Sequence, residues 1–303
     1  MESPDRYSQD WNSYSKYWDE QFRARYAHLG DEWNDDGTPG RDRDRFYFRA
    51  YIERWLRPDM TVLEVGPGGG KWTVLMAPRA KRVIVLDVAE EMLKRTRARC
   101  DALGLTNVEY VLANGADFQP VAGGSVDFFF SYDVFVHIAL EDTWPYAQEI
   151  ARVLVDGGRG ACHYAIGSTP EAWDRIERQN AWYRFGRNTL GQFYYFDPQM
   201  LRRMYERCGL ITLEQHLQDW SCTCIFEKPG DSLAHRLEAL LRELIGEAAD
   251  DPDRRTRIVA ELRALPALLG QRLAPLLEDV EGEADPRRRH DVAARIRRLW
   301  RAV

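Results

Sequence analysis

Between residues 41 and 230, short runs of apolar and β-branched residues alternate with amphipathic stretches. The apolar runs lie at 61–65, 82–86, 108–112, 126–130 and 160–166. Helical spacing of apolar residues occurs near 44–56, 71–77, 89–103, 141–153 and 198–207. Strands that alternate with helices form parallel sheets covered by helices on both faces. The pattern therefore predicts an α/β domain with a doubly wound, mostly parallel sheet over residues 41–230.

The two ends of the chain differ from residues 41–230 in amino-acid composition and in the spacing of apolar residues. Residues 1–40 are rich in aromatic and charged residues, and five rings recur at near-helical spacing: Trp11, Tyr14, Tyr17, Trp18 and Phe22. A turn-rich stretch follows at 34–40. Residues 231–303 are rich in Leu, Arg, Glu and Ala with helical periodicity. We expect an N-terminal helical segment over 1–40 and a helical C-terminal extension over 231–303.

A glycine-rich loop follows the first predicted strand. It reads Glu64-Val65-Gly66-Pro67-Gly68-Gly69-Gly70-Lys71-Trp72. A dinucleotide fingerprint requires glycine where Lys71 stands, and a phosphate-binding P-loop requires glycine at Val65 and a hydroxyl at Trp72. Both phosphate motifs therefore fail on residue identity. What remains is a loop whose glycines let a ligand approach the backbone closely.

An acidic residue closes the next predicted strand. Asp87 ends the run 83–87, and a carboxylate at that place can accept hydrogen bonds from both ribose hydroxyls of an adenosine. A glycine loop alone is weak evidence of a nucleoside site. The combination with an acid at this spacing is much more specific.

These motifs resemble those of the class I S-adenosylmethionine-dependent methyltransferases, and the resemblance covers about residues 45–230. Further motifs follow in the family's order at 107–118, 125–138, 149–158 and 196–210. The resemblance implies a Rossmann-like sheet of seven strands and S-adenosylmethionine as cofactor. It also implies cofactor-binding residues at Glu64, Gly66, Pro67, Gly68, Trp72, Asp87, Val88, Met92, Asn114, Gly115, Ala116, Ser131 and Tyr132. Asn114 departs from the commoner Asp, which keeps a hydrogen-bond acceptor and loses a charge.

The fold does not decide the methyl acceptor, because it serves carbon, nitrogen and oxygen acceptors alike. The insertion at 168–196 carries many aromatic rings and four arginines. This combination suits a sugar, a flat natural product, or an acceptor with a phosphate or carboxylate; alternatively, the rings form the core of an added helix. The N-terminal segment resembles the lid of bacterial methyltransferases that act on sugars or polysaccharides. We therefore expect O-methylation of a sugar or polysaccharide hydroxyl, with a small natural product, an amine, or a scaffolding role as alternatives.

An oxygen acceptor needs a general base. His137 and His163 are the histidines that the topology places beside the cofactor, and Asp133 is a third candidate. Packing at a helix start or a role in the cofactor pocket would equally explain His137. We expect no metal, because Asp133 is the one carboxylate that clearly lies on an acceptor-side loop.

Net charge and the residues after strand four both argue against a nucleic-acid substrate. The formal net charge of −6 argues against nucleic acid as the partner. Family members that methylate base amines carry Asn or Asp and then Pro-Pro-aromatic after strand four, whereas this chain reads Ser131-Tyr132-Asp133-Val134.

The five cysteines have no metal-binding spacing, the N-terminal residues are polar, and no uncharged stretch approaches the ~20 residues of a membrane span. We expect a cytoplasmic protein without a transmembrane segment.

The C-terminal extension leaves three possibilities. Its apolar stripes could pack on the catalytic domain, form a homo-oligomer, or dock on a membrane or partner enzyme. From Pro286 onward the chain carries seven arginines against one aspartate, with Val292, Ile296, Leu299 and Trp300 on one helical face. Packing or self-association is the simpler expectation, because the two preceding stretches have no basic face.

Overall fold

The computed structural model describes residues 5–34, 43–186, 192–230, 251–263, 273–278 and 285–301, with several positions between 237 and 245. The strands are β1 (Thr61–Val65), β2 (Arg82–Asp87), β3 (Val108–Leu112), β4 (Val126–Ser131), β5 (Leu154–Ile166), β6 (Tyr195–Phe196), β7 (Ile211–Gln218) and β8 (Ser221–Glu227). The helices are α1 (Asp5–Gln21), α2 (Arg43–Tyr51), α3 (Thr73–Met76), α4 (Glu90–Ala102), α5 (Leu140–Val153), α6 (Pro170–Gly186), α7 (Pro198–Arg207), α8 (Pro252–Arg263) and α9 (Pro286–Arg301).

The strands form one sheet in the order β3-β2-β1-β4-β5-β8-β7, and the two-residue β6 pairs with β5 beside this path. Pairing is parallel from β3 to β5, whereas β8 runs antiparallel to both β5 and β7. The predicted doubly wound, mostly parallel α/β fold is confirmed. Seven strands make up the main path, as expected, and β6 is additional.

Strand β5 begins earlier than its apolar run indicated. The apolar run at 160–166 predicted a strand that begins after Gly157 and Gly158, but β5 already starts at Leu154 and includes both glycines. Val126 pairs with Leu154 and Phe128 with Arg159, so the register shifts between these pairs. Gly157 has a φ of 76°, which accommodates the bulge.

Side chains that alternate along the strands pack into two hydrophobic cores, one on each face of the sheet. In β1, Leu63 and Val65 pack in the core that contains α5 and α7 residues, whereas Val62 packs in the core that contains α2 and α3 residues. Both faces of the sheet are therefore covered, and the carboxyl ends of the parallel strands are left as the accessible edge. Most of the residues predicted to bind the cofactor lie at or near this edge.

The N-terminal helix α1 packs against α4. The Arg95 side chain donates hydrogen bonds to Ser15 Oγ at 2.8 Å and Asp19 Oδ2 at 2.7 Å, and Asn12 Oδ1 accepts from the Glu91 backbone N–H at 3.2 Å. Trp18 is 1% exposed and belongs to a small core of its own. These contacts hold α1 across the carboxyl edge of the sheet.

The helical residues after 230 form a further hydrophobic cluster. Its buried members come from the positions at 237–245, from α8, from 273–278 and from α9, and include Leu244, Val259, Leu277 and Ile296. The apolar face of α9 therefore packs inside this cluster. Several positions of the predicted apolar stripes lie outside the described residues: Leu233, Ala248, Leu265, Leu269 and the side chains of Leu299 and Trp300. Within the described part of the chain, no helix is long and apolar enough to cross a membrane.

We expect removal of residues 231–303 to leave the cofactor site formed, because the buried leucines of this region pack with one another. The truncated protein should bind S-adenosylhomocysteine with an affinity within about two-fold of the full chain, measured by calorimetry. Its oligomeric state or solubility should change, measured by light scattering. A truncated protein with unchanged mass state, solubility and activity would show that the extension is not an assembly element.

Candidate functional site

The glycine loop turns sharply between β1 and α3. Gly66, Gly68 and Gly70 all have positive φ, at 72°, 57° and 79°. The Gly66 N–H donates to the Leu86 carbonyl at 2.8 Å and the Gly70 N–H to the Pro67 carbonyl at 2.8 Å. A Cβ at Gly66 would lie 2.2 Å from Val134 Cγ2, so this glycine is required by packing as well as by its conformation.

Gly69 leaves room for the N-terminal segment to contact the glycine loop. A Cβ at this position would lie 2.1 Å from the Leu29 carbonyl oxygen, which means that the N-terminal segment rests directly on the loop. Leu29 itself is 1% exposed. Arg99 joins the two segments, because its guanidinium donates to Asp31 Oδ1 at 3.2 Å and to the Gly69 carbonyl at 3.4 Å.

A cavity that opens to solvent, with about 750 Å³ of empty space including the open part, lies over the loop and the ends of β1, β2 and β4. We call it the main cavity; it is lined by Tyr7, Trp11, Val65, Gly66, Gly68, Leu86, Asp87, Val88, Met92, Tyr132, Asp133, Val134, His137, Ile138 and Tyr146. Its walls combine backbone, aliphatic and aromatic surface with a few polar groups. Such a lining suits a nucleoside-sized ligand.

Asp87 provides a buried carboxylate in the main cavity. Its side chain is 8% exposed and Oδ1 accepts from the Ala89 N–H at 2.9 Å. Burial raises the pKa of Asp87 to about 7, although hydrogen bonds from the backbone of Ala89, Gly68 and Val88 oppose this shift. A carboxylate held in this way gains from any ligand hydroxyl that donates to it.

Glu64 lies behind the glycine loop. It is 1% exposed, and Oε2 accepts a hydrogen bond from Thr73 Oγ1 at 2.5 Å, which ties the loop to the start of α3. Burial raises the pKa of Glu64 to about 8, and the charge of Asp87 acts in the same direction. Among the described residues, Glu64 Oε1 has no hydrogen-bond partner. Glu64 is not part of the lining of the main cavity.

The structure brings together most of the residues predicted to bind the cofactor. Six of them line the main cavity: Gly66, Gly68, Asp87, Val88, Met92 and Tyr132. Ser131 lines neither described cavity, and its buried hydroxyl donates to the carbonyl of the lining residue Val65 at 2.9 Å. Pro67 and Trp72 line a neighbouring cavity, described below.

The segment 114–116 does not line the main cavity. Asn114 is exposed, and its Oδ1 accepts from the backbone N–H groups of Ala116 and Asp117 at 2.8 and 3.0 Å. Its Nδ2 donates to Asp117 Oδ1 at 3.0 Å. The side chain therefore stabilises its own turn, with Gly115 in the left-handed region at a φ of 78°. A contact of Asn114, Gly115 or Ala116 with the cofactor stays a prediction.

Sequence reasoning missed seven residues of the main cavity: Tyr7, Trp11, Val65, Leu86, Val134, Ile138 and Tyr146. Trp11 was noted as part of the aromatic spacing in 1–40, but that spacing gives no direction to the ring. The Tyr7 hydroxyl bonds to Asp142 Oδ2 at 3.1 Å, which joins α1 to the start of α5. This contact shows how the N-terminal helix becomes one wall of the site.

A smaller cavity of about 310 Å³ adjoins the main cavity on the other side of the loop. We call it the second cavity; it is lined by Leu29, Gly30, Gly66, Pro67, Gly69, Lys71, Trp72, Tyr132 and Asp133. The two cavities share Gly66, Tyr132 and Asp133. These three residues therefore form the boundary between them.

Asp133 stands at this boundary in an unusual conformation. Its φ is 58°, the left-handed region in which a residue other than glycine is strained. Its Oδ1 lies 2.9 Å from Nδ1 of His163, which is 2% exposed and stacks on the Tyr132 ring at 4.1 Å. Burial opposes ionisation, but the hydrogen bond and charge of His163, with the charges of His137 and Lys71, hold the pKa of Asp133 below its ordinary value.

His137 lines the main cavity from the short 3-10 helix Phe135–His137. Its Nδ1 lies 2.9 Å from the Gln192 carbonyl, and its ring contacts Trp11 and Phe193 at centroid distances of 5.2 and 4.7 Å. Burial lowers the pKa of His137 despite the Gln192 hydrogen bond and the charge of Asp133. Of the two candidate histidines, His137 is the one in the lining of a described cavity.

The aromatic insertion is described in part. Arg175 on α6 lies over the rings of Phe193 and Trp220, at 4.4 and 4.0 Å from their centroids. Trp173 is 58% exposed. The side chains of Trp182, Tyr183, Arg184, Phe185 and Arg187 lie outside the described residues.

Comparison with known families supports the interpretation of this geometry. Residues 62–158 match the family model described as a methyltransferase domain. The match covers β1 to the start of β5, and includes the glycine loop, Asp87, Asp133 and His137. The resemblance to the class I S-adenosylmethionine-dependent methyltransferases is confirmed: the chain carries a methyltransferase domain of this family, whose cofactor is S-adenosylmethionine.

Three curated relatives illustrate how far the similarity extends. A protein-L-isoaspartate O-methyltransferase of Picosynechococcus sp. is 30% identical over 118 residues, 37% of this chain and 47% of that protein. The biotin biosynthesis bifunctional protein BioHC of Cellvibrio japonicus is 33% identical over 136 residues, 45% of this chain and 24% of that protein. Nodulation protein S of Rhizobium tropici is 26% identical and covers 50% of this chain and 60% of that protein. The chain spans less than half the length of the isoaspartate methyltransferases that it matches.

Solved structures agree on the fold. A candidate methyltransferase from Bacillus halodurans C-125 superposes with a TM-score of 0.51 at 18% identity, and covers 61% of this chain and 98% of that one. A candidate methyltransferase from Haloferax volcanii, solved with the Trm112 methyltransferase activator, gives 0.51 at 17% identity and covers 72% and 97%. At this level of identity the likeness concerns the fold alone.

The residues of the main cavity fit S-adenosylmethionine. The buried Asp87 carboxylate is placed to accept from a ribose diol, since it already has the backbone bonds that hold it in position. Met92, Val88 and Ile138 offer apolar surface next to it for a purine ring. Gly68 has a positive φ and no side chain, so a ligand at this position meets bare backbone. A Cβ built there would lie 3.7 Å from Leu29 Cδ2.

We expect Asp87→Asn to weaken binding of S-adenosylhomocysteine by on the order of 1–3 kcal/mol, because the neutral amide replaces a charge-assisted acceptor. Affinity of the wild-type protein should also fall as the pH drops below about 7, where Asp87 gains a proton. The variant should lack this pH dependence. Calorimetry between pH 6 and 8 measures both, with the exposed Asp59→Asn as control. Equal affinity of variant and wild type would remove Asp87 from the site.

We expect Gly69→Ala to destabilise the protein by about 1–3 kcal/mol, because the added methyl group collides with the Leu29 carbonyl. Displacement of the N-terminal segment should weaken cofactor binding at the same time. Thermal unfolding and calorimetry measure the two effects. Gly123→Ala is the matched control, since a Cβ there meets its nearest atom at 3.4 Å. Wild-type behaviour of Gly69→Ala would show that the segment does not rest on the loop.

Proposed function

We propose that the protein transfers a methyl group from S-adenosylmethionine to a hydroxyl of a sugar or polysaccharide. The observation that carries the proposal is His137, a neutral, oriented imidazole in the wall of the cavity that fits the cofactor. An oxygen acceptor needs such a base, whereas a carboxylate acceptor does not. The aromatic surroundings of the site suit the apolar face of a sugar ring.

The Gln192 carbonyl sets the tautomer of His137. A carbonyl oxygen can only accept, so the proton must be on Nδ1, and Nε2 carries the free electron pair. The lowered pKa of His137 keeps the ring neutral at pH 7. His137 can therefore accept the proton of an acceptor hydroxyl without first losing one of its own.

Asp133 and His163 are better suited to positioning than to proton abstraction. The pKa of Asp133 is held below its ordinary value, so its carboxylate is a weak base. His163 is 2% exposed and does not line either described cavity. Together they fix the end of β4 and place a negative charge at the boundary between the cavities.

The steps follow from these positions. S-Adenosylmethionine, when bound, supplies a methyl group on a positively charged sulfur. Asp87 and the glycine loop orient its nucleoside, and the Asp133 charge favours positive charge at the cavity boundary. Trp11 and Tyr146 help to exclude water from the main cavity. His137 Nε2 would take the proton from the acceptor oxygen as that oxygen forms its bond to the methyl carbon and the methyl–sulfur bond breaks. The products would be a neutral methyl ether, a neutral thioether and a protonated imidazole.

Two alternatives remain distinct from this proposal. A natural product or an amine could occupy the same aromatic surroundings, and an amine can lose its proton to water. A methyltransferase-like scaffolding subunit would bind cofactor without turnover, and the separate cluster of C-terminal helices is the feature that favours it. The isoaspartate methyltransferases match this chain over 118 residues or fewer, within half of their length, so their acceptor does not transfer to it directly.

We expect His137→Asn to lower turnover by about 10²–10⁴-fold while S-adenosylhomocysteine affinity changes little. Asparagine can still donate to the Gln192 carbonyl, so the main loss is the basic nitrogen. Wild-type activity should rise with pH through a value below the ordinary histidine pKa of about 6.5 and then level off, because the base must be neutral. At saturating S-adenosylmethionine, where protonation of Asp87 does not limit cofactor binding, the variant should lack this rise of activity with pH. His290→Asn on α9, an exposed position, is the control.

The acceptor can be found directly. Labelled S-adenosylmethionine is incubated with polysaccharide and small-metabolite fractions of the source cells, and labelled products are analysed by mass spectrometry. A methylated sugar supports the proposal. A labelled amine or aromatic product, or full activity of His137→Asn, contradicts it, and cofactor binding with no labelled product favours the scaffolding alternative.

A further inference from the structure

Three segments of the chain meet beyond the carboxyl end of β5. The Ile166 N–H donates to the Trp220 carbonyl at 2.9 Å, which fixes the turn between β7 and β8 at this edge of the sheet. The Tyr194 N–H donates to the Val136 carbonyl at 2.8 Å, which fixes the segment before β6 beside His137. Helix α6 begins at the same edge, because it is the next element after β5.

Arg175 on α6 joins these three segments. Its guanidinium carbon lies 4.4 Å from the centre of the Phe193 ring and 4.0 Å from the centre of the Trp220 ring. The two rings lie 5.2 Å apart at an interplanar angle of 86°, so they form a corner around the charge. Burial raises the pKa of Tyr195, and the charge and hydrogen bond of Arg175 oppose this shift. We call these four residues the Arg175 cluster; each is half-buried, so the cluster is partly open to solvent.

The Arg175 cluster lies between the two candidate histidines. The Phe193 ring contacts the His137 ring at a centroid distance of 4.7 Å, and the Trp220 ring contacts the His163 ring at 5.8 Å. Burial is the main cause of the lowered pKa of His137, and the charge of Arg175 acts in the same direction. Arg175 is therefore close enough to the proposed base to act on it electrostatically.

The order of the strands places the cluster away from the nucleoside site. Asp87 ends β2, His137 follows β4 and Arg175 follows β5, and the sheet order is β2-β1-β4-β5. A nucleoside held at Asp87 lies on one side of His137 along the sheet edge, and Arg175 lies on the other. An acceptor whose hydroxyl reaches His137 can therefore place a second group at Arg175.

The chemistry of the cluster favours a negative group at that place. Aromatic rings hold a guanidinium in position without neutralising its charge. The guanidinium is planar with five N–H donors, and it pairs best with a carboxylate or a phosphate, which can accept two of them at once. The described lining of the main cavity contains Asp87 and Asp133 and no lysine or arginine. A negative group of the acceptor is thus disfavoured at the main cavity and favoured at Arg175.

We propose that Arg175 binds a carboxylate or phosphate carried by the acceptor, so that the methylated saccharide is an acidic one. Arg175 is then a specificity-determining residue, which selects acceptors with a negative group at a fixed distance from the hydroxyl that reacts at His137. The inference rests on the proposed function for the saccharide, and on the Arg175 cluster for the negative charge.

The test compares glucuronate, glucose 6-phosphate and glucose, which share a pyranose ring and differ at C6. Each is titrated by calorimetry into protein saturated with S-adenosylhomocysteine. At least one anionic sugar should bind about ten-fold more tightly than glucose, because it gains a charge-assisted pair of hydrogen bonds. The sugar that binds more tightly distinguishes a carboxylate from a phosphate. In Arg175→Gln the preference over glucose should fall below about two-fold, because glutamine carries no charge.

Two further variants separate charge from folding. Arg175→Lys keeps the charge and loses the planar fork, so it should keep part of the preference. Arg178→Gln changes an exposed arginine on the same helix and should keep all of it. The melting temperature of Arg175→Gln and its affinity for S-adenosylhomocysteine should stay close to those of the wild type.

A second measurement uses the labelled products of the source-cell fractions, which are passed over an anion exchanger. The labelled product should be retained. The amount formed at low acceptor concentration should fall in Arg175→Gln and recover as the acceptor concentration is raised, since the variant loses binding and keeps the base.

The proposal is overturned if the wild-type protein binds glucose as tightly as both anionic sugars, a comparison that needs no variant. It is also overturned if none of the three sugars binds, or if Arg175→Gln keeps the preference. If the preference is found but the labelled product is an anion other than a saccharide, the proposed function fails and the assignment of Arg175 stands. A neutral methylated saccharide, without the preference, removes Arg175 and leaves the proposed function.

Discussion

The pairing of β1 with β2 on one side and β4 on the other is the constraint on which the site depends. The three strands are parallel and in register, with Val65 beside Leu86 and Glu64 beside Phe130, so their carboxyl ends meet at one edge. This brings the glycine loop, Asp87 and Asp133 together although they are far apart in the sequence. Because both faces of these strands are buried, a slip in register would expose apolar side chains and is strongly disfavoured.

Buried carboxylates are the electrostatic consequence of that arrangement. Glu64 and Asp87 have raised pKa values because burial disfavours their charge, whereas the hydrogen bond and charge of His163, with nearby positive charges, lower the pKa of Asp133. The site thus holds carboxyl groups with different protonation within one short stretch of sheet edge. Perturbed pKa values cluster at functional sites, and structural ion-pair networks produce them as well, so the geometry of the cavity carries the argument.

The N-terminal segment completes the site by contact with the glycine loop. The Leu29 carbonyl occupies the space that a side chain at position 69 would need, and Arg99 holds both segments. Tyr7 and Trp11 then form a wall of the main cavity that the methyltransferase-domain match, residues 62–158, does not include. One wall of the main cavity is therefore supplied by a part of the chain outside the matched domain.

The sequence alone determined the sheet, the glycine loop, the place of Asp87 at the end of β2, and the family. Apolar periodicity and glycine spacing are local features, and in a parallel sheet the order of strands and loops fixes where such residues lie. It could not determine that Asn114 bonds its own turn, that β5 begins at Leu154 with a register shift before Arg159, or that Tyr7 and Trp11 face the cavity. Those outcomes depend on side-chain direction and on contacts between distant segments. The tautomer of His137 is of the same kind: it is set by the carbonyl of Gln192, fifty-five residues further along the chain, and only the folded structure brings the two together.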